Sequence, residues 1–214
     1  MSARSLARAT LALVLPVVLL GGCGAVASLN TASQPLPTFD LGVAAGTPAR
    51  AAPTSRRVLL VAAPSALGAF DSDRMVIKPN ALQVAYLPDS RWVDSAPRQI
   101  QTLLIRAIAN SGAVGYVGGD AAGPLPDYVL LTDIQAFQAE LTPAGQPDQV
   151  TVRLTLTMVR DADRRLVGSR IIERHAPLAG TDPLTVANAF NAAMTSLLDE
   201  ATRWTISSMG GRVG

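Results

Sequence analysis

The sequence predicts an α+β domain, in which a mostly antiparallel sheet carries two amphipathic helices packed on one face. Three observations carry that expectation. From Val150 to Met158 apolar and polar residues alternate without a break, the period of a strand with one buried and one wet face. Between Pro97 and Ser111 the apolar residues Ile100, Leu103, Leu104, Ala107 and Ile108 recur at helical spacing. Val186, Phe190, Met194, Leu197 and Ala201 repeat that spacing near the C-terminus. Several half-wet strands with only two helices fit one helix layer laid on one sheet.

The chain opens differently from the rest. Arg4 and Arg8 precede an apolar run from Leu11 to Leu20, and Gly21-Gly22-Cys23 follows. A basic start, a short apolar middle and small residues before a break make a secretory signal peptide, here residues 1–22. The run is shorter than the roughly 20 residues that span a bilayer. Leu20-Gly21-Gly22-Cys23 resembles the lipobox of bacterial lipoproteins, whose cysteine is acylated before the signal is removed. That resemblance makes Cys23 the lipidation residue. It also implies, from Gly24 in place of Asp, an outer-membrane anchor with the protein on the periplasmic face. As the sole cysteine, Cys23 has no disulfide partner. Once Arg4 and Arg8 leave with the signal, the remaining basic residues equal the 16 acidic ones. A neutral chain without a basic run has no electrostatic footprint for nucleic acid.

Residues 23–56 are rich in Ala, Pro, Ser and Thr and read as a lipidated, extended tether. One island interrupts it at 38–43, where Phe39, Leu41 and Val43 alternate as a short docking strand. The folded domain is expected over 57–207. Val58 to Ala62 is a continuous apolar run ended by Pro64, the mark of a buried central strand. A helical turn fits Ala66 to Phe70. Arg74 to Lys78 and Ala81 to Leu87 form two strands about the turn-favouring Pro79-Asn80. Ser95 is the expected N-cap of the first helix, with Pro97 in its first turn and Ser111-Gly112 at its end.

A short strand over 113–117 and a Gly- and Pro-rich loop over 118–126 come next. In the strand from Tyr128 to Gln138, Tyr128, Leu130, Ile134 and Ala136 are expected on one side. On the strand from Val150, residues Val150, Val152, Leu154, Leu156 and Met158 face one way and Thr151, Arg153, Thr155 and Thr157 the other. Asp161 to Arg164 turns the chain into a partner strand, Leu166 to His175. Asp182 caps the last helix with Pro183 at its first position, and residues 208–214 form a flexible tail.

Residues for chemistry are few. His175 is the single histidine, and no nucleophile near it in sequence declares itself, so it reads as a surface or edge residue. The pairs Asp71/Asp73 and Asp161/Asp163 lack the wider oxygen set a hard cation needs and read as turn residues. Gly118-Gly119-Asp120 lacks the spacing and lysine of a phosphate loop. No catalytic residue, metal ligand or cofactor is expected. The chain does not read as an enzyme.

Arg74-Met75-Val76, Tyr86-Leu87-Pro88-Asp89-Ser90-Arg91-Trp92, Pro97 with Gln101 and Leu104, then Asp127 to Leu130 and Ile134 to Phe137 together resemble the ABC-type transport auxiliary lipoprotein family. Met75 and Phe39 stand where aliphatic and tyrosine residues are commoner in it. The resemblance implies a non-enzymatic lipoprotein subunit of a lipid-transport system. Its partners would be a mammalian-cell-entry (MCE) domain protein and an ABC permease with its ATPase, with a homo-oligomer left open. Two alternatives stand beside it, a lipid-carrying periplasmic lipoprotein and an outer-membrane assembly factor. Tyr86 and Trp92 are candidate partner or lipid contacts, with core packing equally open for both.

Overall fold

The computed structural model describes residues 36–42, 55–119 and 123–210. The signal segment, Cys23, most of the expected tether with Val43, and residues 211–214 of the expected tail lie outside them. Within the described residues the strands are β1 (Thr38–Phe39), β2 (Val58–Val61), β3 (Ser65–Ala66), β4 (Val76–Asn80), β5 (Gln83–Tyr86) and β6 (Arg91–Trp92). Helix α1 (Ala96–Asn110) leads to β7 (Tyr116–Gly118), β8 (Tyr128–Leu141), β9 (Pro147–Arg160) and β10 (Arg165–Pro177), and α2 (Pro183–Ser208) ends the series.

The long meander follows from the alternation in β9. Val150, Val152, Leu154, Leu156 and Met158 are all at 0% exposure, and each such side chain contributes roughly 1.5–3 kcal/mol by leaving water. Leu154 pairs Ile134 on one side and Ile172 on the other, so β8, β9 and β10 run antiparallel. Arg164 takes a left-handed φ of 55° in the turn that joins β9 to β10, and Arg160 and Asp163 close it at 2.6 Å.

β8 departs from simple alternation at one place. Its register with β9 slips between Ile134 and Ala136, leaving Gln135 as an extra residue. A bulge of one residue turns the following side chains to the other face. Leu130 and Ile134 therefore share the core with Phe137 and Ala139, and Ala136 does not continue their side as the alternation predicts.

The fold is α+β, but the expectation of a mostly antiparallel sheet is corrected. The main sheet has eight strands in mixed directions, and most of the strand pairings are parallel. β2 lies between β7 and β8 and parallel to both, while β3 and β4 also run parallel to β8. A hairpin turn announces antiparallel pairing in sequence, whereas a parallel neighbour arrives through a longer crossover. Here α1 supplies one such crossover, between the short N-terminal strands and β7. The hairpin β4–β5 is antiparallel as its sequence predicts, with Val76 opposite Tyr86. Its turn centres on Ala81-Leu82, where the Asn80 Oδ1 accepts from the N–H groups of Leu82 and Gln83.

Both helices form where the spacing places them, with different caps. Asp182 Oδ1 accepts from the Thr185 N–H at 3.0 Å, and Pro183 opens α2. Hydrogen bonds from the Thr185 hydroxyl and then its backbone N–H hold the Asp182 carboxyl below its usual range. Ser95 occupies the N-cap of α1, but its hydroxyl makes no capping bond. Asp94 takes over there, accepting from the Ser95 N–H at 2.7 Å through its side chain and from Gln99 Nε2 at 2.8 Å through its carbonyl. Gly112, at φ 65°, ends the helix in a conformation that suits glycine. Ile100, Leu104 and Ile108 of α1 join Phe190, Met194 and Leu197 of α2 in one core with the inward face of the meander.

Candidate docking surface

Among the described residues, two of the surfaces outside that core bear on contact with a partner or lipid. The first is built on the β4–β5 hairpin. β5 pairs only with β4, so it is an edge strand. Val84 and Tyr86, two residues apart on one face, are exposed, and Leu82 at the turn is 97% exposed. Arg74 lies over the Tyr86 ring at 4.4 Å from its centre, a cation–π contact. Tyr86 is thus half-exposed and available for contact. Leu82 and Val84 were not singled out in the sequence, although their two-residue spacing to Tyr86 is its signal.

Trp92 is placed elsewhere. It is 1% exposed, and its ring meets Phe190 edge-on at 5.2 Å and Phe137 at 5.8 Å, with Phe137 and Phe190 4.6 Å apart. Core packing is therefore the reading that describes this side chain, and it presents no surface to a partner. It is buried because β6 is sewn into the domain from both sides. Its own N–H donates to the Asp73 carbonyl at 2.7 Å, and β1 pairs alongside it with Phe39 opposite Trp92. The bulge at Gln135 brings Phe137 to the same place.

β1 belongs to a strap, residues Pro37 to Gly42, that lies across this region. Arg91 and Val93 donate their N–H groups to the carbonyls of Pro37 and Phe39. Leu41 is buried at 2%, and its N–H donates to Gln99 Oε1 of α1 at 3.3 Å. The Gly42 N–H donates to Asn191 Oδ1 of α2 at 3.0 Å. Both amide side chains act over long sequence separation, so nothing local in the sequence marks them.

The second surface is the sheet face turned away from the helices. One half exposes Leu131, Leu166 and Ile171 among Asp133, Thr155, Thr157 and Ser169 of the same rows. The other half is a hydrogen-bonded polar run. Glu140 accepts from Gln138 at 2.8 Å and from Gln149 at 3.1 Å. Burial pushes the Glu140 carboxyl up, but those two bonds, Thr151 and the nearby Lys78 charge outweigh it and hold the group below its usual range. Thr151 Oγ1 meets His175 Nδ1 at 3.0 Å, His175 Nε2 meets Glu173 at 2.8 Å, and Glu173 also accepts from Arg153. The Arg153 bond, opposed by slight burial, is the main reason the Glu173 carboxyl lies low.

His175 thus sits at an exposed edge between a threonine and a glutamate. Thr151 itself is buried in the sheet. Asp161 pairs with Arg164 and Asp163 with Arg160, and the Arg160 bond holds the Asp163 carboxyl down to about 2. Among the described residues no three metal-ligating side chains cluster. No described helix is long and apolar enough to cross a membrane.

The family described as ABC-type transport auxiliary lipoprotein component matches residues 39–201. An uncharacterised protein of Bradyrhizobium diazoefficiens is 27% identical over 172 residues, covering 79% of this chain and 44% of that protein. The chain therefore spans less than half the length of that relative. A crystal structure from Xanthomonas campestris superposes with a TM-score of 0.71 at 28% identity, covering 81% of this chain and 96% of the other. A second crystal structure, of an uncharacterised protein, shares the fold at a TM-score of 0.62 and 11% identity, covering 80% and 99%.

Proposed function

The chain belongs to the ABC-type transport auxiliary lipoprotein family, and from that membership we propose a non-enzymatic subunit of an ABC/MCE lipid-transport system. It is anchored through Cys23 to the outer membrane, faces the periplasm and docks the MCE conduit there, with the ABC permease and ATPase as further partners. The observation that supports docking is the sheet face left uncovered above an occupied core. Leu131, Leu166 and Ile171 stand exposed on it, large apolar side chains interleaved with polar ones. The space between sheet and helices, where a lipid carrier would need a cavity, is held by Trp92, Phe137 and Phe190 in mutual contact. Tyr86 is kept as a second contact, on a separate surface.

Ile171→Arg tests the reading. Exposed at 61%, position 171 accepts a long charged side chain at little cost to the fold. The variant should melt like the parent yet recover less MCE protein when the lipoprotein is purified from membranes. Undiminished recovery with a normal melt would remove this face from the docking surface.

A further inference from the structure

We infer that the β4–β5 hairpin is a membrane-contacting element, which rests Leu82, Val84 and Tyr86 on an anionic lipid surface. The inference takes its anchor from the function proposed above and adds to it a lipid contact made by the folded domain itself. Three observations lead there. Leu82 is 97% exposed at the turn, and Val84 and Tyr86 follow on the edge strand, so the apolar residues lie at the end and margin of a projection. An amphipathic ring such as tyrosine suits the boundary between headgroups and acyl chains.

Charge is the second observation. From Arg74 to Pro88 the chain carries Arg74 and Lys78 and no carboxylate. Arg74 is stacked on Tyr86, so a cation and an aromatic ring are presented together. Lys78 stands opposite Glu140 in the β4–β8 register and its charge acts on that carboxylate, so Arg74 is the cation the edge presents. An apolar edge that presents the Arg74 guanidinium is complementary to anionic headgroups.

Reach is the third. The strap that receives the tether pairs with β6, just after β5 in the chain. From Cys23 to Pro37 the extended chain covers about 50 Å at most. β4, with five residues, is about 17 Å long. An anchor at Cys23 therefore leaves the hairpin free to meet the same bilayer.

The test uses the full chain, purified in detergent and returned to vesicles of phosphatidylethanolamine and phosphatidylglycerol. Leu82→Cys is labelled with an environment-sensitive fluorophore, and Leu125→Cys, at a second exposed site of 91%, serves as control. The label at 82 should shift to the blue and brighten in these vesicles, less so in pure phosphatidylcholine, while the label at 125 stays as in water. A label at 82 that behaves like the one at 125 would overturn the inference. A change at 82 that follows protein concentration without vesicles would also overturn it, by making a second copy the occupant. Label number tests the anchor separately, since an acylated Cys23 leaves one label per chain and a free thiol leaves two. With two, the anchor reading fails, and the fluorescence comparison is repeated on the Cys23→Ser background.

Discussion

The two halves of this domain reach burial by different routes. From β8 to α2 the strands are 13 or 14 residues long, each neighbour in sequence is a neighbour in space, and alternation sets the faces except at the bulges by Gln135, Asp148 and Val167. From β1 to β6 no strand exceeds five residues. There the backbone is held by distant partners: Gln99 and Asn191 on the strap, and the Asp127 side chain on the Val58 N–H at 2.8 Å. The first half is a scaffold written in local pattern. The second is an irregular layer that the scaffold orders, and irregular segments are where proteins carry their contact surfaces.

The largest expected effect tests the scaffold. Leu154→Asp places a carboxylate at the centre of β9, where burial of an unpaired charge costs several kcal/mol, comparable to the whole stability of a domain. Calorimetry should show no cooperative transition. A normal melt would mean that the inward face of β9 is not the core. Trp92→Ala comes next, because it asks whether a residue from a two-residue strand matters as much as one from the meander. Loss of a large buried aromatic costs about 3–5 kcal/mol, read as a drop in the denaturation midpoint. A loss under about 1 kcal/mol would show the irregular layer to be dispensable to stability.

The smallest effect concerns acid. All but one of the ion pairs among the described residues lie after β8, and Glu200 of α2 holds both Arg170 and Arg174 of the edge strand β10. The Arg170 bond is the chief cause of its lowered carboxyl pKa, burial opposes it, and Arg174 adds to the lowering. A lowered folded value means that this stabilisation is present above the ordinary glutamate range and is lost as pH falls through the folded value. The pairs are partly exposed, so the contribution is below about 1 kcal/mol. Protection from hydrogen exchange, taken relative to the intrinsic rate at each pH, should fall in acid in β10 and α2 before the β4–β5 hairpin, and Glu200→Gln should flatten that dependence. Equal loss of protection in both halves would erase the distinction.

The same division governs what the sequence discloses. Val150 to Met158, the two helical stripes and the Asp182 cap are legible because each signal lies within a few residues of its effect. The parallel directions of β2, β3 and β4 are not, since they depend on crossovers with no turn residues to announce them. Nor is the burial of Trp92, which depends on β1 from far upstream and on a register slip in β8. Tyr86 and Trp92 look alike in sequence, six residues apart in one motif. Their fates part because β5 has a neighbour on one side only, whereas β6 is enclosed by β1 and the Asp73 carbonyl.

Gln135 has a consequence for how β8 can tolerate changes of length. A residue lost from a regular stretch such as Val150 to Met158 of β9 would reverse every side chain beyond the gap. Gln135 is surplus to the pairing, so its loss would leave Leu130, Ile134, Phe137 and Ala139 in unbroken alternation on the same face. β9 has its own surplus near the other end, where the register passes from Glu140–Gln149 to Leu141–Pro147 and skips Asp148. The pair of strands thus carries one spare residue on each side, and a deletion that would be ruinous almost anywhere else in the sheet has two places where it can be absorbed.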